Sequence, residues 1–278
     1  MDPVEIHCMQ GRLLPPENNR IQAFPRLSWA RELALAGQAE VEGIEWIYES
    51  YGERENPLTT SEGRRKLRDE LQGHGVLVRS LSADWFMEHL LGREPAAATR
   101  LPWLLDAAAD AGIERIVVPC VDSSRLKGHA DEEALVRAIE ANIRALEATG
   151  LELHLETDLE PKRFGRLLER LDHPLIGVNY DTGNSASQGY DVTEEWEVYG
   201  FRVGSVHIKD RLRGGGTVRL GDGDADLETF FDMLHASGWQ RPLVLQAARG
   251  HDGGEVRWVR SAARRVRELW TERRKAWN

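Results

Sequence analysis

Only two of the 278 residues are cysteine, Cys8 and Cys120, and neither belongs to a zinc-type pair. That excludes a disulfide framework; the expectation is two reduced thiols in a cytoplasmic protein. Long apolar runs are also missing: none approaches the ~20 residues needed to span a bilayer. The opening MDPVEIHCMQG has neither the charged n-region nor the apolar h-region of a signal peptide. Positive charge is in deficit, 36 Lys and Arg against 46 Asp and Glu, a formal net charge of −10. This is the wrong sign for a general nucleic-acid binder. The basic residues gather in RSAARRVRELWTERRKAWN, where Ala262, Val266 and Leu269 fall at helical spacing. The arginines therefore read as the solvated face of a terminal helix. No Pro/Ser-rich linker or low-complexity segment divides the chain. No G-x-G-x-x-G follows the first strand, since MQGRLLPPENN neither matches it nor opens a helix, which argues against a dinucleotide-binding fold.

What is present is a regular alternation of β-rich and amphipathic segments. Strands are expected over 5–10, 43–48, 76–82, 115–120, 151–156, 175–181, 204–209 and 242–247, with helices clearest over 98–111, 131–148, 161–171, 226–237 and 255–270. Ser28, Ser61 and Asp131 stand where helix N-caps are expected, and Gly112 and Gly150 where helices should stop. Strand ends recur about every 34 residues, the length of one strand–helix unit. Eight such units predict a single-domain α/β protein, a (β/α)8 TIM barrel spanning residues 1–278.

Reactive groups in such barrels come from the C-terminal ends of strands, and period-two alternation tells which residues point inward. In LELHLE the leucines face the helices, leaving Glu152, His154 and Glu156 inside. The same argument turns Asn179 and Asp181, then Ser205, His207 and Lys209, then Val244 and Gln246, toward the axis. Four consecutive strands thus end in a carboxylate, a carboxylate, an imidazole and an amide. Barrel interiors are ordinarily filled with branched apolar side chains, and two confined carboxylates repel each other. One divalent cation, with Mn²⁺ first and Mg²⁺, Co²⁺ or Zn²⁺ as alternatives, would reconcile Glu156, Asp181, His207 and Gln246.

The segments LHLETD, NYDTGNSAS, VHIKDR and LGDGDADLETFFDML resemble the xylose isomerase-like TIM barrels, the sugar-phosphate isomerase/epimerase group, most strongly from 151 to 250. The resemblance implies that Glu156, Asp181, His207 and the position of Gln246 bind one divalent metal. It also implies a proton abstraction next to a carbonyl through a metal-stabilised enediolate. The D-x-G-N form from Asp181 to Asn184 and the H-x-K-D of 207–210 are similar to the phosphate-sugar branch. Relatives acting on free ketoses or inososes more often carry His in place of Asn184. One departure matters: the family's second glutamate, both ligand and acid/base, is here Gln246, which can bind a cation but cannot exchange a proton near neutral pH. Two-base epimerisation is thereby placed in doubt, while one-base aldose–ketose isomerisation or β-elimination of water stays open.

Glu156 is expected as the base, with Lys209 or an arginine stabilising developing charge and Gln246 in the family's second catalytic position. Arg211, Arg213 and Arg249 could clamp a phosphate or carboxylate. Asn184, Gln10, Arg12, Trp46, Trp85 and Phe86 are further candidates for substrate contact, and Glu45 for a supporting or structural role. The expected partner is a small sugar or sugar phosphate, with neither nucleic acid nor membrane. A homodimer is an expectation carried by the resemblance. Rival readings are a keto-polyol dehydratase, a catalytically silent sugar-binding subunit, and an abasic-site nuclease. The last is disfavoured by the acidic charge and the shortage of histidines.

Overall fold

The computed structural model describes residues 4–250 and 253–277, with the side chains of the last helix described as far as Lys275. Its centre is a closed ring of eight parallel strands. These are β1 (Ile6–Met9), β2 (Gly43–Ile47), β3 (Ser80–Ser82), β4 (Arg115–Cys120), β5 (Glu152–Thr157), β6 (Ile176–Asp181), β7 (Val203–Ile208) and β8 (Leu243–Leu245). They pair in chain order, and β8 closes on β1 with Ile6 beside Leu243. The fold is the expected (β/α)8 barrel. β8, Leu243–Leu245, is half the 242–247 expected, and β3 falls further short of the 76–82 expected. Arg79 O accepts both Glu114 N and Arg115 N, so the ladder is irregular there, and Leu77 makes an isolated bridge to Gly43.

Helices α1 (Trp29–Ala36), α2 (Ser61–His74), α3 (Trp85–Glu88), α4 (Pro95–Ala111), α5 (His129–Glu140) and α6 (Ile143–Thr149) follow the first four strands. After β5 and β6 come α7 (Pro161–Arg170), α8 (Thr182–Gln188) and α9 (Val192–Tyr199), and then α10 (Leu227–Ala236) and α11 (Glu255–Trp277). Local chemistry corrects some boundaries. Thr60, not Ser61, caps α2, its hydroxyl accepting Gly63 N at 3.0 Å. Asp131 lies inside the first turn of α5 and accepts Lys127 N at 2.8 Å, bracing the preceding loop instead of capping. Ser28 precedes α1 without a side-chain cap bond. Gly112 and Gly150 end α4 and α6 in the left-handed region, as expected. The helix expected over 131–148 is two, divided near Asn142, whose side chain donates back to Ala138 O at 2.8 Å. In α11 it is Ala263, with Val259, Val266 and Leu269, that is buried, and Ala262 is only partly so. The arginines of α11 lie on its exposed and half-buried side, as expected, and Arg260, Arg264 and Arg267 reach Gln38, Glu40 and Glu42.

The barrel floor is polar and closely fitted. His7 on β1 and His154 on β5 each meet a carboxylate two residues earlier, Glu5 at 2.7 Å and Glu152 at 3.0 Å. Arg79 and Arg241 hold those carboxylates in turn. Each ring sits against glycine on the next strand: a Cβ at Gly43 would come within 2.5 Å of His7, and one at Gly177 within 2.8 Å of His154. One step higher, Ser80 donates to Glu45 at 2.5 Å and Ser205 donates to Asn179 at 2.7 Å.

Because a Cβ at Gly204 would come 2.5 Å from the His154 ring and 3.3 Å from Arg241, Gly204→Ala is expected to cost ~1–3 kcal/mol through overpacking. Gly73→Ala, in α2 with open space at the Cβ position, should instead stabilise by roughly 0.5–1 kcal/mol. Urea unfolding midpoints compare the two; equal midpoints would refute the fitted-floor account.

Candidate active site at the barrel mouth

Glu156, Asp181 and His207 stand at the C-terminal ends of β5, β6 and β7, and Asp181 and His207 are register partners. One ligand atom from each lies within 4.8 Å of the others, and all three residues are buried. His207 Nε2 is 2.6 Å from Glu45 Oε1, so the ring is aimed by a carboxylate behind it. Its Nδ1 faces the mouth, 3.1 Å from Glu156 Oε2 and 3.8 Å from Asp181 Oδ2. Neither contact is an aligned hydrogen bond, and among the described residues Nδ1 and Asp181 Oδ2 are both buried without one. Burial alone would discharge the ring, but Glu45 and Glu156 hold its pKa well above the usual imidazole range.

Each carboxylate is fixed by amide N–H groups. Asn179 and Asn184 donate to the two oxygens of Glu156 at 2.9 and 2.6 Å. Asp181 Oδ1 accepts Asn184 N at 2.8 Å, capping α8 and leaving Oδ2 for the cluster. Lys209 Nζ is 2.8 Å from Asp181 Oδ2 and donates to Gln246 Oε1 at 2.6 Å, so these two oxygens share one cation. Two carboxylate oxygens, an imidazole nitrogen backed by a carboxylate and a nearby amide oxygen form a donor set that suits a hard or borderline divalent ion. The Glu–Asp–His cluster can hold a metal.

The loop after β1 lies across this site. Gln22 accepts from Gln246 Nε2 at 2.9 Å and from Arg12 at 3.2 Å, and donates to Asp84 Oδ2 at 2.7 Å. Asp84, just past β3, also accepts from Ser82 at 2.6 Å. Burial lifts its carboxyl to about 6, with the Glu156 and Glu45 charges adding to the rise.

Several expected substrate contacts are otherwise engaged. Trp46 is wholly buried on the helix-facing side of β2, edge-on to Trp29 and bonded to Asn56. Trp85 stacks on His89 beneath Arg100, and its neighbour Phe86 belongs to the core. Arg249 is consumed by three carbonyls, Gly11, Leu14 and Ile21, and anchors the mouth loop instead of offering an anion clamp. Gln10 is buried, its amide oxygen taking Ile47 N at 2.9 Å. Arg211 donates to Asn184 Oδ1 and Gly215 O, one bond from the cluster, and Arg213 is exposed beside Gly189. The glycine-rich stretch after β7 is a two-stranded ribbon, Asp210–Arg211 against Thr217–Val218. Asp210 organises it by accepting Gly221 N, Gly223 N and Ala225 N. Sequence reasoning missed Gln22 and Asp84. The signal for Asp84 was present, since Ser80, Ser82 and Asp84 continue one inward alternation past the strand end.

The model of the xylose isomerase-like TIM barrel matches residues 33–269. The chain belongs to this family. A xylose isomerase domain protein from Planctomyces limnophilus superposes with a TM-score of 0.73 at 19% identity, covering 99% of each chain. An L-ribulose 3-epimerase gives 0.75 at 16% identity, covering 99% of this chain and 97% of its own. The IOLI protein, solved with a bound zinc atom, gives 0.73 at 13% identity, covering 96% and 98%. These likenesses establish the family's barrel. No curated protein matches the chain in sequence. Among the described residues, no helix is long and apolar enough to cross a membrane.

Mn²⁺ is expected to raise the melting temperature in a concentration-dependent way, and Asp181→Ala to abolish the shift. Glu45→Gln, which removes the carboxylate behind His207, should weaken Mn²⁺ binding by roughly 10–100-fold. Calorimetric titration showing equal affinity in Glu45→Gln and wild type would rule out that coupling.

Proposed function

We propose that the protein is a divalent-metal-dependent isomerase or epimerase acting on a small sugar or sugar phosphate. The observation that carries this reading is a buried Glu–Asp–His cluster at the mouth of a family barrel, with Glu156 held by amide donors on both oxygens. Glu156, Asp181, His207 and Gln246 would hold the metal, with Mn²⁺ the first choice. When bound, it supplies electrophilic stabilisation of negative charge developing on adjacent substrate oxygens.

The chain's own residues do the rest. Glu156 takes the proton from the carbon beside the carbonyl, and the Asn179 and Asn184 amides fix its direction. Lys209, already close to Asp181 and Gln246, adds positive charge where oxyanion character builds up. Asn184 couples the base to Arg211, which donates to its Oδ1. Gln246 cannot carry a proton, so Glu156 and residue 246 do not form an acid/base pair across the substrate. That substitution also favours a second reading, elimination of water from a keto-polyol, which begins with the same proton abstraction.

A panel of ketoses and ketose phosphates in deuterium oxide with Mn²⁺ should show exchange at one carbon. Glu156→Gln should slow that exchange by about 10²–10⁴-fold. Undiminished exchange in Glu156→Gln would remove Glu156 as the base, and a dehydrated product without isomers would select the elimination reading.

A further inference from the structure

We propose that Asp84 is the second acid/base of this site, serving the face of the substrate carbon away from Glu156. The inference rests on the proton-abstraction reading above and supplies what Gln246 cannot. Gln246 lies at the end of β8, and its amide nitrogen leads through the Gln22 carboxamide directly to Asp84 Oδ2. The Gln22 side chain shows what the gap accepts: a donor against Asp84 and an acceptor against Gln246, the pattern that adjacent sugar hydroxyl and carbonyl groups present. Asp84 therefore flanks the same space as Gln246, approached from β3, across the barrel from β7 with its His207 and Lys209.

Its surroundings suit proton exchange. Asp84 is held by the Ser82 hydroxyl and the Gln22 amide, with no aligned cation among its hydrogen-bond partners. Glu156, by contrast, is gripped by two amides, and Asp181 is beside Lys209. Burial raises the Asp84 carboxyl to about 6, and the Glu156 charge adds to the rise.

The step balances as a proton relay. The Glu156 carboxylate removes the proton from the carbon next to the carbonyl, and that C–H electron pair becomes part of an enediolate. The Asp84 carboxylic acid delivers its proton to the opposite face of the same carbon, re-forming the carbonyl with inverted configuration. Glu156 then holds the abstracted proton and Asp84 is ionised; exchange with solvent resets both, and no oxidant or co-reactant is consumed. The substrate class is a ketose whose carbon adjacent to the carbonyl bears a hydroxyl.

The test incubates wild type, Asp84→Asn and Asp84→Glu with Mn²⁺ in deuterium oxide, using D-fructose, L-ribulose, D-fructose 6-phosphate and D-ribulose 5-phosphate. Wild type should yield the epimer carrying one deuterium at the inverted carbon from the earliest times, the signature of two separate bases. Asp84→Asn should keep exchange into recovered substrate within a few-fold while epimer formation falls ~100-fold or more. Asp84→Glu should restore part of it. Epimer formed by Asp84→Asn at the wild-type rate overturns the assignment. So does joint loss of exchange and epimer at unchanged melting temperature, which would make Asp84 a support for Glu156. Wild type that exchanges without forming epimer, or whose product retains its original hydrogen, overturns Asp84 alone. Wild type that exchanges none of the four substrates overturns the proton-abstraction reading together with it. If Asp84→Asn does not fold, Asp84→Glu carries the test: epimer formation slowed more than exchange supports the assignment, and both at wild-type rates overturn it.

Discussion

Three carboxylates, Glu45, Glu156 and Asp181, are withdrawn from water around the single imidazole of His207. Withdrawing even one uncompensated charge is costly, and three of like sign cannot stay ionised together without a positive partner. The barrel answers with His207 between them, Lys209 at the open side and amide donors behind. The same demand explains why two atoms pointing at the mouth are left without aligned partners. A cation bound there would meet donors already organised around its charge.

The mouth depends on how firmly the segment after β1 is fastened. Gly11 adopts a positive φ, and a Cβ there would come 2.4 Å from Ala23 O, so this close approach requires glycine. Glu32 on α1 takes Gly11 N and Leu13 N, and Arg249 from beyond β8 takes three carbonyls of the same segment. Burial lifts the Glu32 carboxyl to about 7, the two backbone N–H bonds only partly offsetting it. These fasteners hold Gln22 where it reaches both Asp84 and Gln246. Arg249 is thus a structural residue of the mouth loop.

The strands and their inward faces were readable because a parallel barrel imposes two strict periods, one residue in two along each strand and one strand per unit. Glu156, Asp181 and His207 follow from that alternation, and Glu45 and Asn179 fall on it too. Trp46 faces away from the barrel axis for the same reason that Glu156, Asp181 and His207 face it. Trp46 alternates with inward Glu45 and therefore faces the helices, although its nearness to a strand end had suggested the mouth. Arginines were the least predictable: Arg211, Arg213 and Arg249 are close in sequence to strand ends, yet where each guanidinium goes depends on which carbonyls the loops turn inward. Gln22 was out of reach because it arrives from a long irregular loop, whose path no periodicity describes.

The paired histidine seats of the floor give the barrel a repeated plan. His7, Gly43, Glu45 and Ser80 occupy on β1–β3 the places that His154, Gly177, Asn179 and Ser205 occupy on β5–β7. Directly above, the register pair Ile47–Ser82 on one side answers to Asp181–His207 on the other. Shape is therefore set by a shared lower storey, while the storey above it is free to differ between the two halves. Ligand identities can be exchanged there without reopening the ring of strands, so a barrel of this plan can change its chemistry while keeping its foundations.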